Sequence, residues 1–230
     1  MKNRGTLRLM RPWLPEISFF DDVAPHGAAL NMAMDEALLT VIPGPVLRVY
    51  RWLRPALSFG CFERWEPIRA AHPGRDPVRR WTGGGLVLHG EDFTYSLLIP
   101  RSCGAAALPP AGSYSLIHGA LRSALADAGI SAEPASNPAA KISGACFENP
   151  VLHDVLVQGK KVAGAAQRRT HAGLLHQGSI QTLNLPTRFG ADFAAHLAAA
   201  VRPQAFDVAE AAEKLAAEKY GARAWLEKRP

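Results

Sequence analysis

The chain has 230 residues, of which 48% are hydrophobic and 20% charged, an ordinary balance for a globular protein. This length suits one domain with a full hydrophobic core. Because no apolar run reaches the ~18 residues that span a bilayer, and because Pro12 and Pro15 interrupt the N-terminal segment, we expect neither a membrane protein nor a secretory signal, and we expect a cytoplasmic location.

Cysteine usage and charge narrow the class further. Cys61, Cys103 and Cys146 form an odd, sparse set without a CxxC pair, so we predict neither a disulfide framework nor a metal site. The formal net charge is +6, and the basic residues are spread in small clusters. This charge is compatible with nucleic acid, an acidic protein or an anionic small molecule as partner, and also with a plain solvated surface.

The predicted elements, in chain order, mix helices with strands. Apolar spacing predicts helices at residues 24–39 and 113–128, and Gly129 is placed to end the second. Alternating or short apolar runs predict strands at residues 46–52, 56–62, 78–81, 86–89, 93–99, 151–157, 161–166 and 174–182. Residues 101–112 are rich in alanine, glycine and proline and are predicted to form a loop. From residue 189 onward we expect two helices divided by Pro203.

This order of elements predicts a mixed α+β fold with antiparallel hairpins rather than regular βαβ units. We expect one domain over residues 1–230, with its core at about residues 20–190 and C-terminal helices at 190–228. The sequence shows neither an internal repeat nor a long linker.

A glycine triplet is the first segment that suggests chemistry. Gly83, Gly84 and Gly85 lie between two short predicted strands, where glycine weakens the strand and serves no packing purpose. Such a triplet lets the backbone take positive φ or approach a ligand closely, so that its N–H groups hold a carbonyl, carboxylate or phosphate oxygen. Arg79 and Arg80 precede it and add charge. The alternative is an ordinary glycine turn in a hairpin.

The second segment that suggests chemistry contains a cysteine. Cys146 stands in KISGACFENP, with Gly144 before it and Pro150 after it. Cysteine is more often a small buried apolar residue than a nucleophile, so the residues alone leave both roles open. The other two cysteines have no comparable context and are expected to be structural or incidental.

The third segment that suggests chemistry is a predicted strand that begins with a lysine. Lys161 precedes the apolar run VAGAA, which would draw its amine into a pocket, where it could act as a base or as a neutralising donor. Gly164 and the alanines beside it leave room for a ligand chain. His176, Gln177 and Gly178 form a second polar, glycine-bearing cluster. The alternative for the lysine pair is an exposed hairpin turn.

Together these segments resemble the family of lipoate-protein ligases and octanoyltransferases, whose catalytic module is shared with biotin-protein ligases. The first segment is similar to the family's RRxTGGGxVxHxxxxxYS pattern, matched by Arg79, Arg80, Thr82, Gly83, Gly84, Gly85, Val87, His89, Tyr95 and Ser96. The third is similar to GxKxxGxAQxR, matched by Gly159, Lys161, Gly164, Ala166, Gln167 and Arg169. The family then has histidine directly before glycine, whereas this chain reads His176–Gln177–Gly178. Residues 31–38 resemble the family's first helix, and the match extends to about residue 185.

The resemblance implies a fold and a ligand. The fold would be a mixed, mostly antiparallel, curved β-sheet flanked by helices, with an elongated tunnel for a lipoate or octanoate chain. Lys161 would be catalytic. The residues implied in substrate binding are Arg79, Arg80, Thr82, Gly83, Gly84, Gly85, His89, Gly164, Ala166, His176 and Gly178. From its own context, His89 is more simply read as a core histidine than as a catalytic group.

The family contains two chemistries. Ligases activate free lipoate with ATP and Mg through lipoyl-AMP and need no cysteine, and the intact glycine triplet resembles theirs. Transferases take octanoyl from acyl carrier protein through a cysteine thioester and need no cofactor, and both ACFENP and EDFTYS resemble the cysteine-dependent branch. We therefore favour a transferase in which Cys146 attacks the donor thioester and Lys161 stabilises the thiolate or takes its proton.

The resemblance also implies partners. The acceptors would be lipoyl domains of 2-oxoacid dehydrogenase E2 subunits and the glycine-cleavage H protein, and the octanoyl donor would be acyl carrier protein. These proteins are typically acidic, which suits a net charge of +6. A basic nucleic-acid-binding module is the non-enzymatic alternative, but the chain lacks the interleaved aromatic residues such modules use, so no nucleic-acid partner is expected.

Overall fold

The computed structural model describes residues 12–136 and 151–228. Within these ranges the chain forms strands and helices in the order β1 (Leu14–His26), α1 (Ala28–Val41), β2 (Val46–Trp52), β3 (Ala56–Phe59), α2 (Trp65–Ala71), β4 (Asp76–Arg79), β5 (Val87–His89), β6 (Phe93–Pro100), α3 (Pro110–Asp127), β7 (Glu133–Pro134), β8 (Val155–Val157), β9 (Lys160–Arg169), β10 (Gly173–Ile180), α4 (Phe189–Leu197), β11 (Ala198–Pro203), α5 (Ala209–Leu215) and α6 (Arg223–Leu226). A 3-10 helix lies at Gly104–Ala107 and a π-helical turn at Ala216–Tyr220.

The strands of the described residues form two sheets. The larger has eight strands in the order β11-β1-β2-β6-β10-β9-β8-β7, and the smaller has three in the order β4-β3-β5. In the large sheet β1 pairs in parallel with β11 and β2, and every other neighbour is antiparallel. The predicted mixed α+β fold with a mostly antiparallel sheet is confirmed.

Hydrophobic cores cover both faces of the large sheet, because successive side chains of a strand point to opposite sides. On β6, Leu97 and Ile99 belong to the core that includes α3 and α4. Leu98, between them, belongs to the core that includes α1 and α5. Both flanking layers thus depend on the same alternating strand. No helix in the described parts of the chain is both long and apolar enough to cross a bilayer.

Several predicted boundaries are wrong. The C-terminal region is not purely helical, because Ala198–Pro203 is a strand that pairs in parallel with β1, the long first strand that local pattern did not predict. Helix α2 was also not predicted. The predicted loop at 101–112 contains the 3-10 helix and the start of α3. The strand expected at 151–157 is formed only from Val155, because residues 151–154 turn instead.

A buried ion cluster ties the first three elements together. The Arg48 guanidinium on β2 is 0% exposed and forms ion pairs with Asp22 of β1 at 2.7 Å and Asp35 of α1 at 2.8 Å. It also donates to the side-chain oxygen of Asn31 at 2.8 Å. Burial alone lowers the pKa of Arg48, but the attraction of Asp35 and Asp22 outweighs it, so this pKa lies above its ordinary value. One guanidinium thus bridges two carboxylates on different elements, and this bridge fixes α1 on the sheet.

Candidate functional site

The glycine triplet forms a loop between β4 and β5, and one arginine shapes it. Gly84 has φ +83°, which confirms the predicted positive φ at this triplet. The Arg80 Nη2 atom donates to the carbonyl oxygens of Gly83 at 2.9 Å and Gly85 at 2.8 Å. A Cβ atom at Gly60 would lie 2.0 Å from the Gly84 oxygen. The loop therefore packs closely against Gly60, which the sequence pattern did not predict as part of the site.

A narrow cavity of about 30 Å³ lies between this loop and strands β9 and β10. Its wall is largely apolar or small, with Met32, Tyr50, Trp52, Val87, Gly164, Ala165, Ala166 and Gly178 among the lining residues. A Cβ atom at Gly178 would lie 2.3 Å from the Tyr95 ring, so only glycine fits there. An apolar surface groove adjoins the cavity, because both are lined by Ala165 and Ala166. Cavity and groove together offer an apolar surface suited to a slender chain.

The lysine predicted to be catalytic is buried beside this cavity. The Lys161 side chain is 2% exposed, and its Nζ atom lies 2.7 Å from Oδ2 of Asp154, which is 0% exposed. Tyr114 donates its hydroxyl to the other oxygen of Asp154 at 2.5 Å, and the Val151 N–H donates to Oδ2 at 2.7 Å. A carboxylate held at this distance pairs with an ammonium group, so the geometry favours a donor over a base for Lys161.

Gly164 gives Lys161 its position. A Cβ atom at residue 164 would lie 2.6 Å from the lysine Cε and 2.8 Å from its Nζ. We expect Gly164→Ala to displace the flexible lysine end from Asp154, and so to reduce activity about 10-fold or more and to lower the free energy of unfolding by about 1–3 kcal/mol. Turnover and urea unfolding measure the two quantities. Gly44→Ala, where a Cβ atom meets nothing within 4 Å, is the control. Full activity of the Gly164 variant would contradict the inference that Gly164 determines the position of Lys161.

A hydrogen-bonded chain of buried side chains reaches the glycine loop from behind. Asp92 lies 2.7 Å from the His89 Nδ1 atom, and the His89 Nε2 atom lies 2.6 Å from the Ser58 hydroxyl. Arg80 donates to that hydroxyl at 2.7 Å. Burial lowers the pKa of His89 against the opposing effect of Asp92. Burial raises the pKa of Asp92, but the bond from His89 and further donors outweigh it, so this pKa lies below its ordinary value.

Arg79 and His176 are among the residues implied by the resemblance that do not line the cavity. Arg79 is 0% exposed and donates to the backbone oxygens of Leu226, Cys61 and Glu63, so it anchors the C-terminal helix. His176 is also 0% exposed, and its ring lies 3.1 Å from the Gln167 amide nitrogen and stacks near Tyr95. Both side chains support the fold around the site rather than facing a ligand in the cavity.

The departure from the family pattern has a structural consequence. Because neighbours on β10 point to opposite faces, Gln177 rather than His176 faces the cavity. Its side-chain oxygen accepts a bond from Thr82 at 2.8 Å, and its nitrogen donates to Asp35 at 2.8 Å. Gln177 therefore connects Thr82, the residue that precedes the glycine loop, to the buried ion cluster.

Most of the remaining predicted residues line the cavity or the adjoining groove, and one lies outside the described residues. Arg80, His89, Gly164, Ala166 and Gly178 line the cavity, while Gly83 and Gly84 line the adjoining groove. Gly85 contributes its carbonyl to Arg80. Cys146, predicted to be the nucleophile, lies outside the described residues.

Three residues of the site carried no sequence signal of their own. Ser58 and Asp92 are polar residues within or beside strands. Ser58 binds His89 and Arg80, and Asp92 binds Ser179, which are all at least 22 residues away in the sequence. Asp154 precedes the hairpin of β8 and β9, in which Leu156 pairs with Lys161. The short gap between the strands predicted at 151–157 and 161–166 was therefore the available signal that Asp154 and Lys161 are neighbours.

Buried histidines make stability depend on pH. Burial lowers the pKa of His118 to about 4 and lowers the pKa of His176 and His89 as well. Below pH 6.5 these histidines therefore bind protons in the unfolded chain but not in the folded protein. The free energy of unfolding should consequently fall as the pH decreases from 6.5 toward 4. Each histidine contributes a slope of up to about 1.4 kcal/mol per pH unit within its window.

Urea unfolding at pH 7, 6 and 5 measures this slope. His118→Gln should reduce it, whereas His171→Gln, at an exposed position, should leave it unchanged. Equal slopes in wild type and the His118 variant would contradict the assignment.

Fold and site together define the class. Two solved structures share the fold: a lipoate-protein ligase A bound with ATP, with TM-score 0.70 at 18% identity over 95% of this chain and 99% of that one, and a bipartite lipoate protein ligase from Thermoplasma acidophilum, with TM-score 0.71 at 17% identity over 93% and 96%. The chain belongs to the lipoyl protein ligase A/B catalytic domain family, whose model matches residues 27–203.

Curated relatives refine this comparison. The octanoyltransferase LipM of Oceanobacillus iheyensis is 37% identical over 171 residues, which are 70% of this chain and 62% of that protein. The chain thus spans about three-fifths of the length of this relative.

Proposed function

We propose that the protein transfers an octanoyl group, or a lipoyl group, to a lysine amine of lipoyl-carrier domains, taking it from octanoyl-acyl carrier protein through a thioester on Cys146. The observation that carries this proposal is the buried Lys161–Asp154 pair beside a narrow apolar cavity bordered by the glycine loop. The octanoyltransferase name of the 37% identical relative supports it.

The reaction proceeds by two exchanges at one carbonyl carbon. The Cys146 thiolate attacks the donor thioester, the bond to the carrier sulfur breaks, and the carrier thiol leaves with a proton. The acceptor amine then attacks the enzyme thioester, the bond to the cysteine sulfur breaks as the amide forms, and the proton lost by the amine ends on that sulfur. An amide is more stable than a thioester, so no ATP is consumed.

The site residues have distinct roles in this scheme. The Lys161 ammonium stabilises the thiolate and the developing negative charge by donating, while Asp154 holds it in place. Backbone N–H groups of the glycine loop stabilise the oxyanion of each tetrahedral intermediate. The apolar cavity takes the acyl chain and excludes water from it.

The partners follow from charge and from relatives. A net charge of +6 suits acidic carriers, both the acyl carrier protein and the accepting domains. The Thermoplasma ligase was solved as part of a lipoylation system with its E2 lipoyl domain, which supports lipoyl domains of E2 subunits as acceptors, with the glycine-cleavage H protein as a further acceptor.

An ATP-dependent lipoate-protein ligase is the second candidate function. The lipoate-protein ligase A with the same fold was solved with ATP bound, and the intact triplet Gly83–Gly85 suits a phosphate as well as an oxyanion. Such a ligase would use ATP and Mg with free lipoate or octanoate, and Lys161 would contact the carbonyl or phosphate of the adenylate.

One experiment separates the two. The protein is incubated with octanoyl-acyl carrier protein and a lipoyl domain without ATP, and both the lipoyl domain and the enzyme are analysed by mass spectrometry. We expect octanoylation of the lipoyl domain and an enzyme adduct that hydroxylamine removes and Cys146→Ala abolishes. Cys61→Ala is the matched control. Strict dependence on ATP, with a silent Cys146→Ser variant, would establish the ligase instead.

A further inference from the structure

Behind the glycine loop, four polar side chains form one continuous relay. From the rear of the site forward they are Asp92, His89, Ser58 and Arg80, joined by contacts of 2.7, 2.6 and 2.7 Å. The side chains of His89 and Asp92 are 4% and 3% exposed, and Ser58 as a whole is 1% exposed. Most polar groups buried to this extent in proteins are hydrogen-bonded, and each side chain of this set has its partner.

The relay has one direction of donation. Asp92 is held as a carboxylate by donors other than the histidine, including the hydroxyls of Ser179 at 2.6 Å and Thr94 at 2.9 Å. The His89 Nδ1–H therefore donates to Asp92, which leaves Nε2 as the acceptor for the Ser58 hydroxyl. The Ser58 oxygen can then accept from Arg80. Each proton position follows from the one before it.

The relay ends on the carbonyls of the glycine loop. With Nη1 held by Ser58, Arg80 presents Nη2 to the oxygens of Gly83 and Gly85. Two carbonyls turned toward one guanidinium fix the orientation of the peptide groups around Gly84, whose φ is +83°. The backbone N–H groups proposed to receive the oxyanion belong to this same stretch.

We propose that Asp92, His89 and Ser58 are positioning residues that hold the Arg80 guanidinium, and through it the glycine loop, in the shape that receives the oxygen of the reacting carbonyl. This inference rests on the proposed acyl transfer. It also explains how separate segments converge: Ser179 joins β10 to Asp92 of the first motif. Ser58 joins β3 to His89 and Arg80 of the same motif.

A space-filling role for these residues is a weaker account. Trp52 already stacks on the His89 ring at 4.1 Å, so an apolar side chain would pack there as well as an imidazole does. The polar atoms serve instead to orient their neighbours, because every side chain of the relay accepts from or donates to the next.

Ser58→Ala tests the relay with the smallest change in volume. We expect the kcat for octanoyl transfer to decrease about 10- to 100-fold with little change in the KM for the donor, because loop geometry acts on the reacting carbonyl more than on chain binding. Ser123→Ala is the matched control, since Ser123 is buried and donates only to a helix carbonyl. Thermal unfolding of both variants checks that they remain folded.

A double-mutant cycle shows whether Ser58 acts through Arg80. In an Arg80→Met background, Ser58→Ala should lower kcat less than about 2-fold further, because the guanidinium it positions is gone. If Ser58→Ala reduces kcat by the same factor in both backgrounds, or lowers it no more than Ser123→Ala does, the proposal is overturned.

Hydrogen exchange of the free protein provides a readout independent of catalysis. Amides of residues 82–86 should exchange faster in Ser58→Ala than in wild type or Ser123→Ala, because the loop carbonyls lose their fixed partner. Unchanged exchange there would overturn the proposal. If the wild-type protein transfers no octanoyl group, the proposed function fails, and the relay is judged by this exchange measurement alone.

Discussion

Lys161→Met is expected to reduce octanoyl transfer about 10³-fold, because it removes the ammonium group that pairs with Asp154 beside the cavity. The substitution keeps the length of the aliphatic stem but deletes the donor. Initial rates of transfer to a lipoyl domain, measured at saturating donor, give the size of the effect. A variant that retains more than about a tenth of wild-type activity would contradict a catalytic role for this lysine.

Two controls separate catalysis from folding. Lys160→Met changes the preceding residue, which is exposed, and should leave activity within about 2-fold of wild type. Lys161→Met also leaves a buried carboxylate without its cation, which costs stability. The double variant Lys161→Met with Asp154→Asn removes that charge, so it should regain stability while staying inactive. Recovery of activity in the double variant would show that the single one merely misfolds.

Arg48→Ala is expected to lower the free energy of unfolding by about 3–5 kcal/mol, because Asp22 and Asp35 would remain buried without their cation. This is a large part of the about 5–15 kcal/mol that stabilises a typical domain. The midpoint of unfolding should therefore shift to a much lower urea concentration than in the wild type. Urea unfolding at pH 7, followed by the fluorescence of the five tryptophans, measures it.

Arg51→Ala is the matched comparison on the same strand. Arg51 pairs with Asp21, but their side chains are 43% and 41% exposed, and such surface pairs contribute about 0–1 kcal/mol. Similar losses for Arg48→Ala and Arg51→Ala would show that burial of the cluster has no special weight. The comparison isolates burial, because the two residues have the same chemistry and lie three positions apart.

Much of the fold was predictable because it is written in local patterns. The alternation in β2 and β6 and the apolar spacing in α1 and α3 place those elements correctly. Elements that depend on distant partners were missed. Strand β11 is rich in alanine, a poor strand former, and exists because the edge of β1 offers it a parallel partner. Strand β1 likewise depends on β2 and β11 on either side.

The candidate site divides in the same way. The positive φ in the glycine triplet followed from glycine's conformational freedom, and the burial of Lys161 from the apolar run after it. The roles of the two arginines did not follow. They are adjacent in sequence, but Arg80 turns to the cavity while Arg79 turns to the backbone of α6, because successive residues leaving a strand point to opposite sides.

By itself, the sequence determined the class of fold, the glycine loop and the lysine, since backbone freedom, apolar periodicity and spaced motifs are properties of contiguous residues. Only the tertiary structure decided which groups the lysine and the loop would meet. Asp154 reaches Lys161 across a hairpin, and Ser58, His89 and Asp92 reach Arg80 across three separate segments. Such pairings depend on how distant strands align. Burial then favours each of them, because an unpartnered polar group in a dry interior costs about 1–3 kcal/mol.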